Sequence, residues 1–188
     1  MKVVLAFSGA SGQIYGLKIL EILRNLNVEV HTIVSDAAKL TMEVEGIEFS
    51  DIEKLSFRIY SNEDIGACLS SGSFCHNGMI IAPCSIKTAS SIAYGITDTL
   101  ISRAADVTLK ERRPLVLLIR ETPLHTNHLR TLLRLSEVGA IVMPPVPAFY
   151  IKPKSLEDIV EYTACRAISL LGVDVEHYVW NDKNKDKN

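Results

Sequence analysis

With 188 residues, 47% of them hydrophobic, the chain fits one domain with a sizeable core and needs no disulfide or structural metal to hold it. Its formal net charge of -2 comes from 20 basic and 22 acidic residues with no basic stripe, which argues against nucleic acid as a partner. Cys68, Cys75, Cys84 and Cys165 form neither a CxxC nor a zinc spacing, no apolar run approaches the roughly 20 residues of a membrane span, and no secretory leader opens the chain, so a cytoplasmic protein with no metal and no membrane contact is expected.

Lys2 to Phe7 is a β-branched apolar run that stops at Ser8-Gly-Ala-Ser-Gly12, and from Gln13 the apolar positions Ile14, Leu17, Leu20 and Leu23 take helical spacing. Strand, tight loop and helix follow one another. Asn27 ends that helix, residues 28 to 34 read as a second strand, and Ser35 stands where an N-cap belongs before a helix to Val44. Residues 46 to 66 are mixed and weakly periodic. Met79 to Ala82 is a short buried strand ending at Pro83-Cys84-Ser85, with a helix from Ile86 to Tyr94. Leu115 to Ile119, His125 to Ser136, Ala140 to Met143 and Leu156 to Leu171 complete the alternation as strand, helix, strand and helix. Strands without clean in/out alternation, separated by helices, imply a parallel sheet covered on both faces: a three-layer αβα sandwich, doubly wound and Rossmann-like or flavodoxin-like. Residues 1 to 180 are expected to form this single domain, and the polar run at 181 to 188 a frayed tail.

In such sheets ligands bind outside the carboxyl ends of the strands, where this chain carries Gly9 to Gly12, Ser35, Ser85 to Thr88 and Arg120-Glu121. The glycine loop can bring backbone N–H groups to a phosphate at a helix N-terminus, or can be a plain tight turn. Its spacing, Gly9, Gly12, Gly16, is neither a dinucleotide fingerprint nor a P-loop. Ser85-Ile-Lys-Thr88 reads either as a phosphate subsite or as a serine cap beside a lysine. An Arg120-Glu121 pair ending a buried strand carries a desolvation cost, which points to anion binding or proton movement, with a structural salt bridge as the alternative. Tyr150 follows a rigid proline segment, and Arg166 sits among apolar neighbours in the last helix, where it either snorkels or meets an anion. Lys110 and Arg112-Arg113 read as the solvated end of a helix. Cys84 reads as a small buried hydrophobe or a nucleophile, and His125 and His128 as surface or packing residues.

Seven motifs occur in order: Ser8-Gly-Ala-Ser-Gly12, Ser70-Ser-Gly-Ser-Phe74, Pro83 to Thr88, Arg103-Ala-Ala-Asp-Val107, Leu109 to Val116, Arg120-Glu-Thr-Pro-Leu124 and Met143 to Tyr150. Together they resemble the UbiX-type flavin prenyltransferases across residues 2 to 172. The resemblance implies a homo-oligomer, typically a dodecamer, that joins a dimethylallyl group from dimethylallyl phosphate to reduced FMN, without a metal. Its product, prenylated FMN, serves UbiD-type decarboxylases. By the same resemblance Gly9, Ala10, Ser11, Ser35, Ser85, Ile86, Lys87, Thr88 and Arg120 contact FMN. Tyr150, Arg166, Arg103 and Lys110 form an anion cage for the allylic phosphate, in part from neighbouring subunits. Glu121 and Ser11 relay a proton, Glu45 aligns with a further site position, and Trp180 matches a tryptophan lying over the site, although Val179 precedes it where arginine is usual. A flavin-dependent cysteine decarboxylase, a flavin carrier and an FMN electron-transfer module are the competing readings.

Overall fold

The computed structural model of the chain describes residues 1–178, so the tail expected at 181 to 188 and the lid residue Trp180 lie outside the described residues. Six strands, β1 (Lys2–Phe7), β2 (Glu29–Val34), β3 (Arg58–Ser61), β4 (Met79–Cys84), β5 (Leu115–Ile119) and β6 (Ile141–Val142), form one parallel sheet in the order β3-β2-β1-β4-β5-β6. That is the doubly wound order whose direction of travel reverses between β1 and β4.

Alternation within each strand sends side chains to two separate cores. Val3, Leu5 and Phe7 of β1 pack with α1 (Gln13–Asn25), α2 (Asp36–Val44), α3 (Phe49–Leu55) and α7 (Leu156–Ser169). Val4 and Ala6 face the opposite layer of α4 (Ile86–Ala93), α5 (Leu100–Lys110) and α6 (Thr126–Glu137). The sheet is therefore apolar on both sides, as the unbroken runs in β1, β4 and β5 require.

Two glycines let α1 lie close to the sheet. Gly12 takes the left-handed conformation at φ 97°, turning the chain from loop into helix. A Cβ on Gly16 would collide with the Ala82 carbonyl and the Phe7 ring. Gly12 thus serves the turn and Gly16 the helix–strand contact.

The weakly periodic region contains α3 and the edge strand β3, neither of which its sequence signalled. Of α3 only Ile52 is buried, and of β3 only Tyr60, so no repeat of apolar positions could develop. β4 continues two residues beyond its expected end, with a register irregularity between Ile81 and Cys84 around Pro83, a residue that cannot donate to the ladder. β6 keeps only two residues of the expected four. No helix among the described residues is long and apolar enough to cross a membrane.

A candidate active site at the switch point of the sheet

The loops after β1, β2, β4 and β5 enclose one crevice of about 390 Å³ at the carboxyl ends of the strands, a size usual for small-molecule sites. Gly9, Ala10 and Ser11, then Ser35, then Ser85, Ile86, Lys87 and Thr88, then Arg120 and Glu121 all line it. The sequence placed these residues at strand ends, and the topology gathers them.

Ser8 ties the floor together across the point where the strand order reverses. Its hydroxyl donates to the Pro83 carbonyl at 2.8 Å and accepts the Ser85 N–H at 2.8 Å. Ser85 in turn caps α4, its Oγ accepting the Thr88 N–H, while Ser35 caps α2 by accepting the Ala38 N–H at 3.1 Å. The first turn of α4 has no acidic residue, and Lys87 stands on it. Unused N–H groups of that turn, the Lys87 ammonium and the Arg120 guanidinium make this end of the crevice electropositive.

The N-terminus of α1 is different. Glu45 accepts the Gly12 N–H at 2.7 Å and the Gln13 N–H at 2.8 Å, so a carboxylate already fills the helix end at which the glycine loop was read as a phosphate cradle. A second anion there would meet like charge. The glycine loop forms a wall of the crevice: Gly9 packs against Ala37, where a Cβ would collide, and the N–H groups of Gly9 and Ser11 make no hydrogen bond within the described residues. Glu45 does not itself line the crevice.

Arg120 and Glu121 form no ion pair with each other. Arg120 is exposed to the crevice and Glu121 half-buried, because β5 ends at Ile119 and the next residues emerge into the cavity. The salt bridge considered from sequence is therefore absent among the described residues, and the guanidinium lines the crevice. Cys84 is fully buried and burial pushes its thiol well up, which disfavours the thiolate a nucleophile needs. His125 caps α6 by accepting the Asn127 N–H, with its ring 3.5 Å from that of His128, and the described residues hold no group of metal-ligating side chains.

The far wall escaped the sequence reading. Thr99 and Ser102 make a capping box at the start of α5, and Asn62 accepts the Ile101 N–H at 3.0 Å with its side chain and the Leu100 N–H with its carbonyl. With Asp98 they complete the crevice. A threonine three residues before a serine, ahead of an apolar run, is the signal that marks this wall.

The four residues of the expected phosphate cage do not line the crevice. Arg103 pairs with Asp106 at 2.8 Å and donates Nε to the Ser70 carbonyl at 3.2 Å, and Lys110 pairs with Glu111. Both belong to α5. Tyr150, in a 3-10 turn at Phe149–Ile151, bonds to Tyr162 of α7, and Arg166 of α7 reaches Ser169 at 3.3 Å. The two pairs thus sit on opposite faces of the sheet.

Comparison with known proteins fits this geometry. A family described as Flavoprotein matches residues 1–167. Flavin prenyltransferase UbiX of Archaeoglobus fulgidus is 51% identical over 181 residues, covering 96% of this chain and 100% of its own. The chain belongs to the UbiX flavin prenyltransferase family. Another UbiX enzyme, from Escherichia coli, is 47% identical over 175 residues and 92% of each chain. Among solved UbiX-family structures, AnUbiX (PadA1) in complex with FMN and dimethylallyl pyrophosphate superposes with a TM-score of 0.93 at 45% identity, over 96% of this chain and 97% of its own. A dodecameric FMN-dependent UbiX-like decarboxylase from Escherichia coli superposes equally well, at 0.93 and 41% identity, over 97% and 100%.

Proposed function

We propose that the chain is a flavin prenyltransferase: it joins a dimethylallyl group from a dimethylallyl phosphate to nitrogen 5 and carbon 6 of reduced FMN and releases prenylated FMN to a UbiD-type decarboxylase in the cytoplasm. The observation that carries this reading is the polarised crevice at the switch point, in a chain whose relative was solved with FMN and dimethylallyl pyrophosphate. Bound there, reduced FMN would supply the nucleophilic ring atoms.

The residues present fit such a ligand. Ser35, Ser85, Thr88, Lys87 and Arg120, with the first turn of α4, would hold the phosphate, since donors converge there and no acid lies in that turn. Gly9, Ala10 and Ser11 would then face the ring system, and the far wall of Asn62, Asp98 and Thr99 would exclude water from the other side. Ser11 and Glu121, which border the same cavity from two loops, would hold or pass the proton that leaves carbon 6.

Arg103 and Lys110 lie on one face and Tyr150 and Arg166 on the other, so a cage of all four takes contributions from more than one subunit. A homo-oligomer, a dodecamer as in the Escherichia coli relative, supplies them. Cations around a departing phosphate stabilise the charge that grows as the carbon–oxygen bond breaks, and so act mainly on turnover.

Anaerobic incubation with reduced FMN and dimethylallyl monophosphate or diphosphate, followed by mass analysis of the extracted flavin, tests the reading. A flavin heavier by one prenyl unit, lost in Arg166→Ala, is expected. Unmodified flavin with both donors would move the assignment to a flavin carrier or decarboxylase.

A further inference from the structure

Gln13 opens α1 with its side chain fully buried, yet it is polar and outside the crevice lining. Its Nε2 donates to two carbonyls at once, those of Ser8 and Ala10, each at 2.8 Å. Two carbonyl partners fix the orientation of the amide, since only nitrogen can donate to both. The Oε1 atom is left buried without a partner among the described residues. The two Nε2 bonds are thus what fixes this amide, since the Oε1 makes no bond within the described residues.

We propose that Gln13 is a positioning residue for the flavin: its amide draws the Ser8 and Ala10 carbonyls inward toward α1, so that the Gly9–Ser11 wall presents N–H groups and not carbonyl oxygens to the ligand. The inference deepens the flavin reading above and rests on it. Three observations support it. The Ser8 carbonyl also accepts the Ala10 N–H at 2.9 Å, so this short segment is a tight turn whose peptide orientations are coupled. The Gly9 and Ser11 N–H groups carry no partner within the described residues. The Gln13 backbone is itself anchored by Glu45, which gives the side chain a fixed base from which to hold the loop.

The chemistry is specific to a long primary amide. Lysine or arginine would bring a charge into a fully buried position, and asparagine is one methylene too short to span both carbonyls from the same backbone. Gln13→Met keeps the volume and removes both donors. Gln13→Glu keeps the shape but sets a carboxylate against two carbonyl oxygens until it takes up a proton, which burial favours.

The test is FMN titration of wild type, Gln13→Met and Gln13→Glu, followed by flavin fluorescence between pH 6 and 8, with thermal unfolding of the flavin-free proteins to establish that each is folded. The expected result is FMN binding weakened about tenfold in Gln13→Met at every pH, about one neutral hydrogen-bond pair. Gln13→Glu should be weaker still at the alkaline end and recover toward the Met value, or past it, as pH falls. A folded Gln13→Met that binds FMN within twofold of wild type overturns the inference, as does a Gln13→Glu whose ratio to wild type does not change with pH. Failure of wild type itself to bind FMN would instead remove the flavin reading on which the inference stands.

Discussion

Replacing Glu45 by alanine should destabilise the fold from a position outside the crevice. Its carboxylate closes the N-terminus of α1 with bonds of 2.7 and 2.8 Å to Gly12 and Gln13. Hydrogen bonds to a charged group contribute about 1.5–3 kcal/mol each when buried. Glu45 is half-exposed, and water would replace part of what is lost, so the pair together with the helix-dipole attraction is expected to contribute about 2–3 kcal/mol. At about 2–4 °C per kcal/mol for a domain of this size, Glu45→Ala should melt about 4–12 °C below wild type. Glu45→Gln keeps one acceptor oxygen but loses the charge, and should fall about midway. Thermal denaturation of the flavin-free protein at one fixed protomer concentration measures this, since assembly makes melting concentration-dependent. If Glu45→Ala melts within about 1 °C of wild type, the carboxylate is not holding the helix end, and a role in the chemistry becomes the better account of its position.

Gly16→Ala should be poorly tolerated, because its methyl would meet the Ala82 carbonyl and the Phe7 ring; a loss of about 1–3 kcal/mol in urea denaturation is expected. Arg120→Ala should weaken FMN binding about ten- to hundredfold by calorimetry, the equivalent of one charge-assisted contact, while Arg166→Ala leaves FMN binding intact and abolishes prenyl transfer. His76 adds a pH dependence: burial pushes its imidazole below its ordinary value of 6.5, and its Nδ1 lies 3.1 Å from the Gly78 carbonyl. The unfolded chain therefore takes up that proton first, so the contribution of this site is intact above about pH 6.5 and is eroded as pH falls through the range below it. The urea midpoint should drop less between pH 7 and 5 in His76→Asn than in wild type, and equal slopes would show that this site does not titrate on unfolding.

What was legible in the sequence was what burial repeats. β1, β2, β5 and the helices α1 and α7 contain enough buried positions at one period for the pattern to show, and their loops then fell at the carboxyl ends where a parallel sheet puts its ligands. α3 and β3 stayed hidden because each buries a single side chain and depends on its neighbours for its conformation. The site divided in the same way. Residues at strand ends were placed correctly on the crevice, but the electrical character of the two helix ends depends on Glu45, which comes 32 residues after Gln13 and meets it only in the fold. For Arg120 and Glu121 the preferred reading, a polar pair opening onto a site, agrees with both lining the crevice, and the alternative of a salt bridge between them is absent among the described residues.

Glu45 has a consequence for selectivity. α1, α2, α4 and α5 all begin beside the same crevice; the end of α1 is closed by the Glu45 carboxylate, while the first turn of α4 carries no acid. A ligand with a single charged end would consequently be favoured with that end toward α4 and disfavoured with it toward α1. The crevice would then act as a keyed socket, favouring one way round for an elongated anionic molecule.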